Sequence, residues 1–165
     1  MIILGIDPGL QHTGWGVVSY ENAHLKYLAG GVIHSNAKDT MAHRLKTLHD
    51  GLAKVIDVYK PNSIGIEEVY VNSNPRTSLK LGQARGMGFL AAANAMVDIH
   101  EYSPKEIKKG LVGTGNADKT QVDFMVKTLL PGVVMESNDM SDALAVAICH
   151  AHSLKSSLFN LKSMR

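Results

Sequence analysis

The sequence predicts an α/β fold, a central mixed five-stranded sheet flanked by helices, and three observations carry that expectation. An apolar run at the start of the chain ends in Asp7-Pro8-Gly9. Two further strand-like segments, 14–20 and 25–34, follow it across a short polar turn. A stretch of helical periodicity, 40–59, then leads to a second short apolar run, 63–69. Closely spaced strands pair antiparallel, whereas strand, helix and strand in succession return parallel, so the sheet is mixed.

Ile2, Ile3, Leu4 and Ile6 are too continuous an apolar run for a strand wet on one face, so both faces should be covered. Pro8-Gly9 stops this strand. An acid at that point sits over the core edge, which is unfavourable unless a cation is near; the alternative is that Asp7 bonds its own turn backbone. Segments 14–20 (GWGVVSY) and 25–34 (LKYLAGGVIH) read as the next two strands. Gly14 and Gly16 mark a close backbone approach beside Asp7. Trp15 reads as packing, and His12 as a surface histidine or a substrate contact. From 40 to 59, Met41, Leu45, Leu48, Leu52, Val55 and Ile56 recur at three- and four-residue spacing, an amphipathic helix that Pro61-Asn62 ends. Side chains alternate along the following strand, 63–69 (SIGIEEV), so only one of Glu67 and Glu68 can share a face with Asp7. Glu67 is expected inward and Glu68 outward or in a supporting role.

Asn74-Pro75 starts a helix over 76–96. Gly82, Gly86, Gly88 and the alanines at 91–93 let it pack closely, either on the sheet or on a second copy of the chain. Residues 97–102 supply the fifth strand. Ser103-Pro104-Lys105-Glu106 has the form of a capping box for a short helix running to Lys109. Gly110, Gly113 and Gly115 mark a loop, and Asn116 is placed to cap a helix over 117–130, closed by Pro131-Gly132. Lys108 and Lys119 flank that loop, where they can hold phosphates or stand as ordinary exposed lysines. Ser137 or Asn138 caps the last helix and sets Asp139 and Asp142 three apart on one face of its first turn. The helix dipole explains one such acid, at about 0.3–1 kcal/mol. Two on one face, with two strands that also end in acids, point to a metal-binding cluster. Cys149 reads as a small buried hydrophobe, and His150 and His152 as surface or core residues or an aid to proton transfer.

At 165 residues the chain suits one domain, expected over 1–155, able to bury roughly 70% of its unfolded surface. Residues 156–165 are expected to form a disordered tail. Apolar residues make up 45% of the chain and mean hydropathy is near zero, with no run approaching the roughly 18 residues of a membrane span. With a single cysteine and no leader-like start, a cytoplasmic location is expected. Net charge is +2, but residues 1–69 carry 6 Lys/Arg against 7 Asp/Glu and residues 70–165 carry 11 against 8. The later excess, with Arg76, Lys80, Arg85, Lys105, Lys108, Lys109 and Lys119, suits the approach of a polyanion to the acids, or is simply solvated.

Asp7, Glu67, Asp139 and Asp142 offer oxygen ligands with no Cys or His at ligand spacing, so a metal held there should be Mg²⁺ or Mn²⁺. A pair of such ions would relieve the repulsion among the acids and clamp both the attacking and leaving oxygens of a phosphodiester, which is hydrolysis by activated water. Neither a Ser/His/Asp arrangement nor a GxxxxGK[ST] loop competes with this.

The motifs GIDPG at 5–9, IEEVY at 66–70, LKLGQARG at 79–86, KKGLVGTGNADKTQV at 108–122 and SDALAVAI at 141–148 together resemble the RuvC family of crossover-junction endodeoxyribonucleases, over nearly the whole chain to about residue 152. The resemblance implies an RNase H-like fold and a homodimer that cuts four-way (Holliday) junction DNA in recombination and repair, with Mg²⁺ as cofactor, two ions per site, and Mn²⁺ able to substitute. It implies symmetric nicks with 5′-phosphate and 3′-hydroxyl ends, and partnership with the RuvA and RuvB branch-migration proteins. The family's acidic tetrad falls on Asp7, Glu67, Asp139 and Asp142, and its phosphate-side lysines on Lys108 and Lys119. Its inserting aromatic, usually Phe, falls on Tyr70, where the chain departs from the pattern. Two rivals remain at this stage. One is an ATPase of the actin and sugar-kinase type, which needs a longer, two-domain chain. The other is a junction- or RNA-binding module that does not cut, for which four gathered carboxylates have no use.

Overall fold

A computed structural model describes residues 1–69 and 74–163, and of 155–163 the backbone alone. Five strands and five helices follow in the order β1 (Ile2–Asp7), β2 (His12–Glu21), β3 (His24–His34), α1 (Met41–Tyr59), β4 (Ser63–Glu67), α2 (Pro75–Asn94), β5 (Ile99–Tyr102), α3 (Pro104–Val112), α4 (Lys119–Leu129) and α5 (Asn138–Ser163). The strands form one mixed sheet in the order β3-β2-β1-β4-β5, in which β1, β2 and β3 pair antiparallel and β1, β4 and β5 parallel. β1 is central, as its continuous apolar run requires, with Ile3, Leu4 and Ile6 wholly buried.

Alternation along the strands sorts the two cores. Leu4, Ile6, Ile64 and Ile66 turn to one face, against Leu52, Val55 and Ile56 of α1 and Ala91 and Ala92 of α2. Ile3 and Val18 turn to the other, against α3, α4 and α5. By the same parity Asp7 and Glu67 belong to the α5 face, and Glu68, beyond the end of β4, is exposed.

α5 reaches the sheet through a row of glycines. Gly30, Gly16, Gly5 and Gly65 are register partners across four adjacent strands, and His100 continues the row on β5. A Cβ on Gly5 would stand 2.1 Å from the Ala143 carbonyl oxygen, one on Gly16 2.6 Å from Leu144, one on Gly30 2.8 Å from Met140 and one on Gly65 3.0 Å from His150. Only a row without side chains lets the helix lie this close.

Several boundaries differ from the sequence reading. α3 runs past Lys109 to Val112 before Gly113 closes it at φ 85°, because Gly110 serves close packing on Cys149 rather than a loop. Asp118, not Asn116, caps α4: it accepts from the Gln121 N–H while the Gln121 side chain accepts from the Asp118 N–H, and Ala117 is buried. α5 continues to Ser163, through the stretch expected as a disordered tail, since no Gly or Pro follows Gly132 to stop it.

Candidate active site

The acids meet at one end of the sheet because three elements deliver them to a single face. β1 ends on Asp7 and its parallel neighbour β4 on Glu67. The first turn of α5 carries Asp139 and Asp142, and Ser137 caps it by accepting from the Met140 N–H at 3.1 Å. Gly14 makes the approach possible: it is opposite Asp7 in the β1–β2 ladder, and a Cβ there would stand 2.0 Å from the Asp139 carbonyl oxygen.

Burial and mutual repulsion shape the electrostatics. Burial first, then the charges of Glu67, Asp142 and Asp139, push the Asp7 carboxyl far above its usual range. Burial and then the charge of Asp142 raise Glu67 as well, while its hydrogen bond with Asp7 and the charges of Lys119 and Lys108 pull the other way. Both carboxyls of this pair are therefore raised, because burial and mutual repulsion disfavour two charges side by side. Asp142 is raised by burial against the pull of Lys119, whose ammonium donates to it. Burial works against the Lys119 charge, but Asp142 and then Asp123 more than offset it, so Lys119 titrates above its ordinary value.

A cleft of about 230 Å³ opens over these groups, walled by Glu67, Asp142, Lys108 and Lys119 with the apolar Ile107 and Val122. Asp139 faces a second hollow of about 360 Å³ shared with Glu136, His12 and His34. There the Nδ1 atoms of His12 and His34 lie 2.8 Å apart, so His12 is paired rather than free. Among the described residues no three Asp, Glu, His or Cys side chains stand so as to hold an ion as they are placed. Asp142 is engaged by the Lys119 ammonium instead. The donor set itself, four part-buried carboxylates that repel one another, fits a hard divalent cation.

The other expected residues divide. Arg76 and Lys80 are exposed on the first turns of α2. Arg85 is turned inward: its guanidinium pairs with Glu101 and lies 4.9 Å over the Phe89 ring, and its side chain is 24% exposed, so it joins α2 to β5. Tyr70 lies outside the described residues. Sequence reasoning missed Asp123, whose Oδ1 is 3.2 Å from the Lys119 ammonium and accepts the Ser141 hydroxyl at 2.6 Å. Its one signal was the four-residue spacing from Lys119. His34, the partner of His12, was also missed, since cross-strand register is not written locally.

His150 is wholly buried. Its Nε2 is 2.7 Å from the Ser63 hydroxyl and its Nδ1 2.7 Å from the Tyr102 hydroxyl, and it stacks on His100 at 4.9 Å. Burial, then His100, brings its pKa down to about 4, so it is a neutral structural hydrogen-bonder rather than a proton carrier at the acids. Cys149 is buried and its thiol is pushed up to about 12, an inert core residue as expected.

A mixed sheet with this strand order and an acidic cluster at the ends of β1, β4 and α5 defines an RNase H-like nuclease. The family description "Crossover junction endodeoxyribonuclease RuvC" matches residues 3–150. Proteins of that name from Rhodospirillum rubrum (49% identical; 92% of this chain, 90% of that protein) and Paracoccus denitrificans (46% identical; 99% of each) are close in sequence. Thermus thermophilus RuvC, solved in complex with a Holliday junction substrate, superposes with a TM-score of 0.89 at 30% identity, covering 95% of this chain and 96% of that one. The chain belongs to the RuvC family of crossover junction endodeoxyribonucleases.

Proposed function

We propose that this protein resolves Holliday junctions by metal-dependent hydrolysis of one phosphodiester in each of two symmetric strands, in recombination and repair. The observation that carries the reading is the gathering of Asp7, Glu67, Asp139 and Asp142 beside a cleft walled by Lys108 and Lys119, in a chain of this family. Mg²⁺, two ions per site with Mn²⁺ able to substitute, would be held by the four acids and would supply charge for the transferring phosphate and activation of the attacking water. Lys108 and Lys119 orient and neutralise the phosphate, while Ile107 and Val122 keep bulk water from the cleft wall. Water oxygen bonds to phosphorus as the P–O3′ bond breaks, which leaves a 5′-phosphate and a 3′-hydroxyl. Arg76 and Lys80, exposed on α2, suit contacts to the arms, and Tyr70 suits stacking on bases opened at the crossover.

Two cuts need two sites, and one domain has one. A homodimer with two-fold symmetry supplies the second. Supporting it, α2 turns outward a stripe of Leu79 (70% exposed), Gly82, Gly86 and Leu90, with no atom within 4 Å of a Cβ on either glycine. RuvA and RuvB are the proposed partners and the cytoplasm the proposed location; no helix among the described residues is long and apolar enough to cross a membrane.

The test is a labelled four-way junction beside a linear duplex of the same sequence, with Mg²⁺ or EDTA, for the natural protein and Asp7→Asn. Paired nicks in the junction alone, dependent on Mg²⁺ and lost in Asp7→Asn while binding persists, are expected. Tight junction binding without nicks under any divalent ion would make the protein a binder instead.

A further inference from the structure

Lys119 opens α4, where the positive end of the helix dipole disfavours an ammonium, so its place there needs another cause. Two carboxylates supply it: the ammonium donates to Asp142 and stands 3.2 Å from Asp123. Asp123 is itself fixed, because its Oδ1 accepts the hydroxyl of Ser141, the residue next to Asp142, at 2.6 Å. The lysine thus lies between an acid of the tetrad and an acid outside it, and both are tied to the first turn of α5. Asp142 cannot serve a divalent ion and the ammonium with the same oxygen, and the two cations repel. From the geometry we propose that Asp123 is a positioning residue that takes Lys119 over from Asp142 when a divalent ion binds, holding the ammonium at the cleft wall where the phosphate of the DNA strand must pass. The proposal rests on the acids being the metal site and on Lys119 meeting phosphate.

Asp123→Asn keeps the acceptor for Ser141 and removes the charge. In the free protein, Mn²⁺ binding followed by electron paramagnetic resonance should weaken roughly three- to tenfold in Asp123→Asn, because the lysine then has Asp142 as its one charged partner. In a Lys119→Met background the same substitution should change Mn²⁺ affinity less than twofold. Junction binding in Ca²⁺ should lose part of its salt dependence in Asp123→Asn, and Asp123→Glu should restore most of it. Equal weakening of Mn²⁺ binding in both backgrounds would show that Asp123 acts only as a distant charge and would overturn the proposal, while leaving the nuclease reading intact. A natural protein that binds no Mn²⁺ would overturn the metal reading itself, and this proposal with it.

Discussion

Gly14 lies opposite Asp7 on β2 and under the carbonyl of Asp139, so a methyl group at this position is a wedge between two of the four acids. A Cβ there would stand 2.0 Å from the Asp139 oxygen and 2.5 Å from its carbon, where ordinary contact begins at 3.4 Å. Backbone cannot swing aside as a side chain can, so in Gly14→Ala the first turn of α5 has to lift by more than an ångström. Overpacking of this kind costs about 1–3 kcal/mol. In a domain of this size each kcal/mol lowers Tm by about 2–4 °C, so melting should fall by about 2–12 °C. Cleavage should suffer more than stability, because a misplacement of about 1 Å in reacting geometry costs on the order of 10²-fold. The assay is single-turnover junction cleavage at a temperature where the variant is fully folded, with junction binding in Ca²⁺ and Gly115→Ala as a control. A Cβ on Gly115 would stand 3.5 Å from its nearest neighbour, an ordinary contact. Gly14→Ala that melts and cuts like the natural protein would refute the close seating of α5 on β2.

Two further outcomes follow from the buried titrating groups. Asp7 is raised in the folded protein, so in EDTA stability is present while it is protonated and is lost as pH climbs from the ordinary carboxylate range toward the raised value. Thermal melts in EDTA at pH 8 should therefore place Asp7→Asn above the natural protein, with added Mg²⁺ closing the gap; an Asn variant that melts lower would contradict the charge argument. His150 has the opposite sign, its pKa falling from 6.5 to about 4, so acidification between those values removes about 3 kcal/mol as the unfolded chain takes the proton first. Denaturation of His150→Leu beside the natural protein checks this: the advantage of the natural protein at pH 7 should shrink toward pH 4, and a gap constant with pH would refute it.

What could be read in the sequence was what is local or periodic. Asp7 at the end of a continuous apolar strand, the parity that turns Glu67 in and Glu68 out, the Ser103 capping box and the pair Asp139 and Asp142 on one helical turn each follow from spacing alone. Register is a different matter. Gly30, Gly16, Gly5 and Gly65 stand in one row only once four strands have been aligned, so the surface on which α5 rests could not be read from any one segment beyond the hint at Gly14 and Gly16. Arg85 looked like one more cation in a basic stretch, and its inward turn depends on Glu101, sixteen residues away on another element. Asp118 competed with Asn116 for the same cap and won because Ala117 is drawn into the core, a tertiary cause.

α5 links the chemistry to the fold through its first half. Its first turn carries two acids, and three turns on His150 bonds Ser63, where β4 begins, and Tyr102, the register partner of Glu67. Glu67 is thereby held in the same frame as Asp139 and Asp142, although it comes from a different layer of the structure. Within that frame the acids crowd one another: burial and the neighbouring carboxylates raise Asp7, and Asp142 accepts from Lys119. If the four acids hold a divalent ion, as proposed, that ion competes with Lys119 for Asp142, and Asp123 is the carboxylate left to hold the ammonium. On that reading metal and DNA are not independent ligands, since the lysine displaced from Asp142 is the one proposed to meet the phosphate.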